Sequence, residues 1–194
     1  MKIRSALGAI ILASSLLAAC GGRDSTAAAG QVSIALSSGD AASLATATFD
    51  GAAATTHPCG LQAANVTFSS LLARTLDGKL IDVTIDLPVT IDLLALQSGK
   101  EATLPAGFLP PGTYDQLVVV MKELEVTLAS GMKIALTPPG GGWTAIVPVS
   151  PPFTVVAGET TTVPLKFHRD TSFVCGLGRW DFKPEFECGH PRHH

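Results

Sequence analysis

Gln31-Val32-Ser33-Ile34-Ala35-Leu36 places Val32, Ile34 and Leu36 at every second position, with Ser33 and Ala35 between them. A helix would spread three such side chains around its circumference, whereas an extended chain puts all three on one face. The run therefore predicts a half-buried strand. The same alternation recurs downstream. Asn65–Leu72 carries Val66, Phe68 and Leu72, and a turn at Asp77-Gly78 leads into Ile81, Val83, Ile85 and Leu87. Pro88 interrupts that run, and Ile91–Leu96 continues it. Pro110-Pro111-Gly112 signals a turn before Tyr114–Met121, which is apolar enough for a central strand. Ser130-Gly131 reads as the tip of a hairpin between Glu123–Leu128 and Met132–Leu136. After the breakers of Pro138–Gly142 come Trp143–Val149, Phe153–Val156, a turn at Ala157-Gly158, Thr161–His168 and Trp180–Phe186. Ser37–His57 is rich in Ala, Ser, Thr and Gly and predicts a long loop, with room for a short helix at 41–47. Short strands with closely spaced turns and no sustained helical period predict an all-β, antiparallel β-sandwich.

Composition narrows the function. The chain has 194 residues with 19 Gly and 13 Pro, which would break a coiled coil repeatedly. Only 15% of residues are charged, too few for a disordered polyelectrolyte. The net charge of −3 offers no basic surface for nucleic acid, so no nucleic-acid partner is expected.

The first twenty residues read as a targeting segment. Lys2 and Arg4 precede an apolar stretch, Ala6–Leu17, that is too short to span a bilayer. Such a layout is that of a secretory signal. Its ending, Leu17-Ala18-Ala19-Cys20, resembles the lipobox of bacterial lipoproteins. The resemblance implies cleavage before Cys20, diacylglycerol on its sulfur and an anchor in the membrane, reinforced by each buried methylene. Gly21-Gly22 follows without an Asp after the acylated Cys, a pattern associated with the outer rather than the inner membrane. The expected organisation is a lipoprotein signal peptide at 1–19, a lipidated Cys and flexible tether at 20–30, a sandwich at 31–187 and a polar, His-containing tail at 188–194.

Further phrases resemble a family of bacterial envelope lipoproteins known only as a domain of unknown function. They are Cys59-Gly60-Leu61, Ile91-Asp92-Leu93-Leu94-Ala95-Leu96, Leu109-Pro110-Pro111-Gly112-Thr113-Tyr114-Asp115-Gln116-Leu117 and Gly178-Arg179-Trp180-Asp181-Phe182-Lys183-Pro184. The resemblance implies a prealbumin-like or carbohydrate-binding-like β-sandwich behind the lipobox. Ser37–His57 and Phe167-His168-Arg169-Asp170 depart from the family pattern.

Candidate chemistry is sparse. With Cys20 acylated, Cys59, Cys175 and Cys188 remain, and an oxidising envelope favours pairing two of them. Three pairings are open. The expectation is Cys59 with Cys175 or Cys188, because the last strands of a sandwich commonly return beside early ones. His57, His168, His190, His193 and His194 lack zinc-ligand spacing, and no metal or other cofactor is expected. Asp82 and Asp86 on one strand face stand roughly 13 Å apart, too far for one Ca²⁺ or for a glycosidase pair. With Asp92 they read as a solvated acidic face. Gly-x-Ser-x-Gly and phosphate-loop patterns do not occur. Trp143, Trp180 and Tyr114 are the rings on which a sugar could stack, if they are not core.

These observations lead to a lipid-anchored envelope protein, a non-catalytic binding or structural module that is not an enzyme, with an envelope protein or a glycan as partner. The alternatives are a carbohydrate-binding module at the cell surface, an envelope hydrolase using acidic residues, and a structural subunit of a surface assembly.

Overall fold

A computed structural model describes residues 28–39, 60–83, 86–96, 100–138, 140–176 and 179–193. Thirteen strands are present among them: β1 Gly30–Ser38, β2 Leu61–Thr75, β3 Leu80–Asp82, β4 Val89–Asp92, β5 Ala102–Leu109, β6 Gly112–Leu128, β7 Lys133–Leu136, β8 Trp143–Val155, β9 Thr160–Phe167, β10 Phe173–Gly176, β11 Arg179–Phe182, β12 Phe186–Cys188 and β13 Arg192–His193. A 3₁₀ turn at Leu93–Ala95 and a single helical turn, α1, at Arg169–Ser172 complete the described elements. The larger sheet runs β3-β2-β6-β7, with β4 also on β2 and β8 also on β6. The smaller sheet runs β12-β9-β1-β5, with β13 also on β9.

The alternation at Gln31–Leu36 is realised: Val32, Ile34 and Leu36 are each buried to within 1% of full burial, with Ser33 and Ala35 between them on the opposite face. They meet Val66, Phe68, Leu71, Leu117, Val119, Met121 and Val147 of the larger sheet in one continuous core. The architecture is a β-sandwich. Its pairing is mixed, however, not purely antiparallel. β1 runs parallel to β9 over eight register pairs, from Gln31↔Thr160 to Ser38↔Phe167, and antiparallel to β5.

Glycine at positive φ makes three of the expected turns. Gly78, Gly131 and Gly158 adopt φ of 87°, 81° and 77°, a region that residues with a Cβ enter reluctantly. Gly131 closes the β6–β7 hairpin by donating to the Leu128 carbonyl at 2.8 Å.

Proline positions explain where the sheets end. β8 carries Pro148, Pro151 and Pro152, none of which donates a backbone N–H, and among the described residues it pairs with β6 alone. Pro164 lies inside β9, and there the outer partner strand is split in two. β12 ends at Cys188↔Leu165 and β13 resumes at Arg192↔Thr162, so the tail has one residue more than β9 across the gap. Gly189 bridges it by donating to the Pro164 carbonyl at 2.9 Å. Within the stretch the sequence predicts as a polar tail, Cys188 and Arg192–His193 therefore pair with β9.

A chain of aromatic rings joins β9, β10, β11, β12 and β8. Phe186 meets Phe167 at 5.4 Å, Phe167 meets Phe173 at 6.2 Å, Phe173 meets Phe182 at 5.0 Å and Phe182 meets Trp143 at 5.3 Å. No described helix is long and apolar enough to cross a membrane. The expected loop at Ser37–His57 falls mostly outside the described residues, except that Ser37 and Ser38 extend β1.

Candidate functional site

The outer face of the larger sheet is the most distinctive surface of the described chain. In β6, Leu117, Val118 and Val119 are consecutive apolar residues, and a strand can direct only alternate ones inward. Leu117 and Val119 enter the core, so Val118 is left on the outer face. Register places Val118 between Leu72 of β2 and Ile146 of β8, which forms an apolar row across three strands. Neighbours hold Val118 to 9% exposure, whereas Ile146 at the edge of the row is 64% exposed.

A charged pair flanks that row. Arg74 Nε and an Arg74 terminal nitrogen donate to the two carboxylate oxygens of Asp115, each at 2.9 Å. Two parallel bonds fix the guanidinium plane. The bond to Asp115 raises the Arg74 pKa, and the bond from Arg74 lowers that of Asp115. Both charges are persistent, and the pair is a polar rim beside an apolar row. An apolar centre with a polar rim is the arrangement found at protein contact surfaces.

The expected site residues are dispersed. Tyr114 is 1% exposed, stacks on Phe153 at 5.4 Å and donates its hydroxyl to the Pro110 carbonyl at 2.8 Å. It is a core residue and not part of a ligand platform: a buried phenol needs an acceptor, and the Pro110-Pro111 turn supplies one. Trp143 is half-buried, with its ring edge-on to Phe182. Trp180 lies in β11 opposite Cys175.

Asp92 corrects the reading of a solvated acidic face. Its Oδ1 accepts from Leu94 N at 3.0 Å, capping the 3₁₀ turn, and from Ala64 N on β2 at 2.9 Å. The carboxylate therefore locks β4 and the following turn to β2. Asp82 and Asp86 are exposed. The bond from Ala64 crosses 28 residues of sequence and leaves no signature in local spacing, whereas the bond from Leu94 is a local cap.

Cys188 is a free thiol, half-buried, with its pKa pushed up to about 11 by burial and then by the adjacent Glu187 carboxylate. Cys175 is disulfide-bonded. A Cys175–Cys188 bridge, one of the three pairings open from the sequence, is therefore excluded. Cys20 and Cys59 lie outside the described residues, as do His57 and His194. His168 Nε2 stands 3.3 Å from a Glu187 carboxylate oxygen, and His190 is exposed. Among the described residues, no group of three His, Cys, Asp or Glu side chains converges to hold a metal ion.

The family model of a domain of unknown function, DUF4382, matches residues 29–184. No curated protein and no solved structure matches the chain significantly.

Proposed function

Since this chain belongs to the DUF4382 family, whose description names no activity, we propose that it is a lipid-anchored binding module of the bacterial envelope. In this reading it holds a protein partner on the outer face of its larger sheet and catalyses no reaction. The observation that carries the partner site is the apolar row Leu72–Val118–Ile146 beside the Arg74–Asp115 pair. Single exposed apolar residues are ordinary on protein surfaces, but an aligned row with a fixed polar rim is the pattern of a contact surface. The anchor follows from Leu17-Ala18-Ala19-Cys20, and the outer membrane from Gly21-Gly22.

A protein partner is favoured over a glycan because Tyr114 is buried and the Trp143 ring engages Phe182. The hydrolase alternative is weakened because the Asp92 carboxylate already holds two backbone amides. For the cysteines we propose a Cys59–Cys175 bridge, since acylation removes Cys20 from pairing and Cys188 is free.

Crosslinking in intact envelopes tests the partner site. Photo-crosslinkers in place of Ile146 and of Lys122 should give a discrete adduct at Ile146, and Val118→Asp should abolish it, the comparison being made at equal folded protein as judged by circular dichroism. An adduct that survives Val118→Asp refutes the assignment. Radiolabelled palmitate tests the anchor and should enter the wild type but not Cys20→Ser.

A further inference from the structure

Among the described residues, seven large apolar side chains are strongly exposed: Leu76, Leu80, Phe108, Met132, Ile146, Val156 and Val174. Four of them gather at one end of the sandwich. Register defines that end. Gly30, at the start of β1, pairs with Leu109 at the end of β5; Gly112, at the start of β6, pairs with Val155 at the end of β8; and Thr75, at the end of β2, pairs with Tyr114. The turns 76–79, 110–111 and 156–159 therefore project together.

Leu76 and Leu80 flank the first turn, and Val156 opens the third. Phe108 lies on the outer face of the smaller sheet, in the row of Gln31 and Thr160. Pro110 and Pro111, both exposed, occupy the turn between.

The chain departs towards Cys20 from this same end. Ala29 is tied to it, because its carbonyl accepts from Gly158 N at 3.2 Å while Gln31 N donates to the Glu159 carbonyl at 2.8 Å. Even fully extended, the backbone keeps Cys20 within about 30 Å of Ala29. The opposite end, where Met132 lies, is farther from Ala29 than that. β6 alone has 17 residues and spans about 55 Å at strand rise. The anchoring residue is thus held close to the one end that carries the apolar cluster. Its charges nearly cancel: Arg74 faces Asp115, Lys79 shares a turn with Asp77, and Glu159 is offset by Arg192, which pairs opposite Thr162 near the start of β9.

We propose that this end, built from Leu76, Leu80, Phe108, Pro110, Pro111 and Val156, docks on the lipid surface in which Cys20 is anchored. The domain then stands on the membrane end-on, with the outer face of the larger sheet turned sideways. The occupant is the interfacial region of the bilayer, entered by apolar tips and not recruited by charge. The inference rests on the Cys20 anchor proposed above.

Hydrogen exchange separates the two ideas. The mature protein is reconstituted in vesicles of phosphatidylethanolamine and phosphatidylglycerol, and the Cys20→Ser chain in solution is the reference. Mass spectrometry of the N-terminal peptide is read first; absence of acyl chains overturns the anchor, and the docking with it. With acylation present, docking predicts about threefold or greater slowing in peptides covering 76–80, 107–111 and 156–159, with 129–133 at the far end unchanged. Joint replacement Leu76→Asp, Phe108→Asp and Val156→Asp should return those rates to the soluble values while acylation is retained. Equal rates at both ends of an acylated protein, or protection that survives the triple replacement, would overturn the docking and leave the anchor standing.

Discussion

Replacing Asp92 by Ala removes one oxygen that serves two backbone donors, Leu94 N at 3.0 Å and Ala64 N at 2.9 Å. Loss of the cap on the 3₁₀ turn costs about 1 kcal/mol. Ala64 is fully buried, so its amide is left without an acceptor and adds about 1–3 kcal/mol. The expected destabilisation is about 2–4 kcal/mol. With a urea m-value near 2 kcal/mol/M, the midpoint should fall by about 1–2 M. Because both bonds end on Oδ1, Asp92→Asn keeps the acceptor and should lose less than about 1 kcal/mol. The assay is urea unfolding of the Cys20→Ser chain followed by far-ultraviolet circular dichroism. An Asn variant as unstable as the Ala variant would show that charge, not acceptor geometry, is what Asp92 supplies. An Ala variant within about 0.5 kcal/mol of wild type would mean that the two bonds contribute nothing.

Asp115 ties stability to acid. The bond from Arg74 holds its folded pKa below the ordinary aspartate value, so the unfolded chain takes up a proton first as pH falls. The stabilising contribution is complete above the unfolded pKa and is lost as pH drops through the folded one. Asp115→Asn should therefore flatten the acid limb of the urea midpoint against pH, and an unchanged slope would refute the linkage. Gly30→Ala would drive a Cβ into both the Val155 Cγ1 and the Val156 carbonyl oxygen. The strand start must shift, at a cost of about 1–3 kcal/mol seen in thermal unfolding, and a neutral variant would show that the turn gives way freely. The Cys188 thiol, raised to about 11, is almost wholly protonated at neutral pH, so iodoacetamide should label it slowly in the native protein and rapidly in denaturant. Equal labelling rates would contradict its burial.

Strands with one buried face were legible from alternation alone, and β1 is the clearest, with Val32, Ile34 and Leu36 inside. β2 and β6 are longer than their alternation suggests because register shifts interrupt the period. One lies between Thr67 and Phe68, another between Arg74 and Thr75, and five adjacent apolar residues fall at Leu117–Met121. β5 was hidden for the opposite reason. Its sequence Ala-Thr-Leu-Pro-Ala-Gly-Phe-Leu offers few bulky alternating groups, and Leu104 and Gly107 are three residues apart where Ile34 and Val32 are two apart. The extra residue falls beside Pro105, a bulge in a strand that, among the described residues, pairs with β1 alone. The parallel pairing of β1 with β9 depends on crossing the sandwich, which no local pattern records. The same holds at the candidate site. For Tyr114 the sequence left core and platform open, because its acceptor is the Pro110 carbonyl in a turn whose geometry the sequence only hints at. The row Leu72–Val118–Ile146 is assembled from three strands by register alone.

The central position of β1 also sets the mechanics of the domain. Tension on the chain ahead of Gly30 enters at the start of β1 and is directed along the strand. Its neighbours are β5 on one side and β9 on the other. Eight register pairs to β9 and six to β5 then resist together, in shear. An edge strand loaded from its end could peel away one hydrogen-bonded pair at a time, and each break would shift the load to the next. Here the ladders on both sides must slip in one event, so force applied through the N-terminal segment meets the smaller sheet in its stiffest direction.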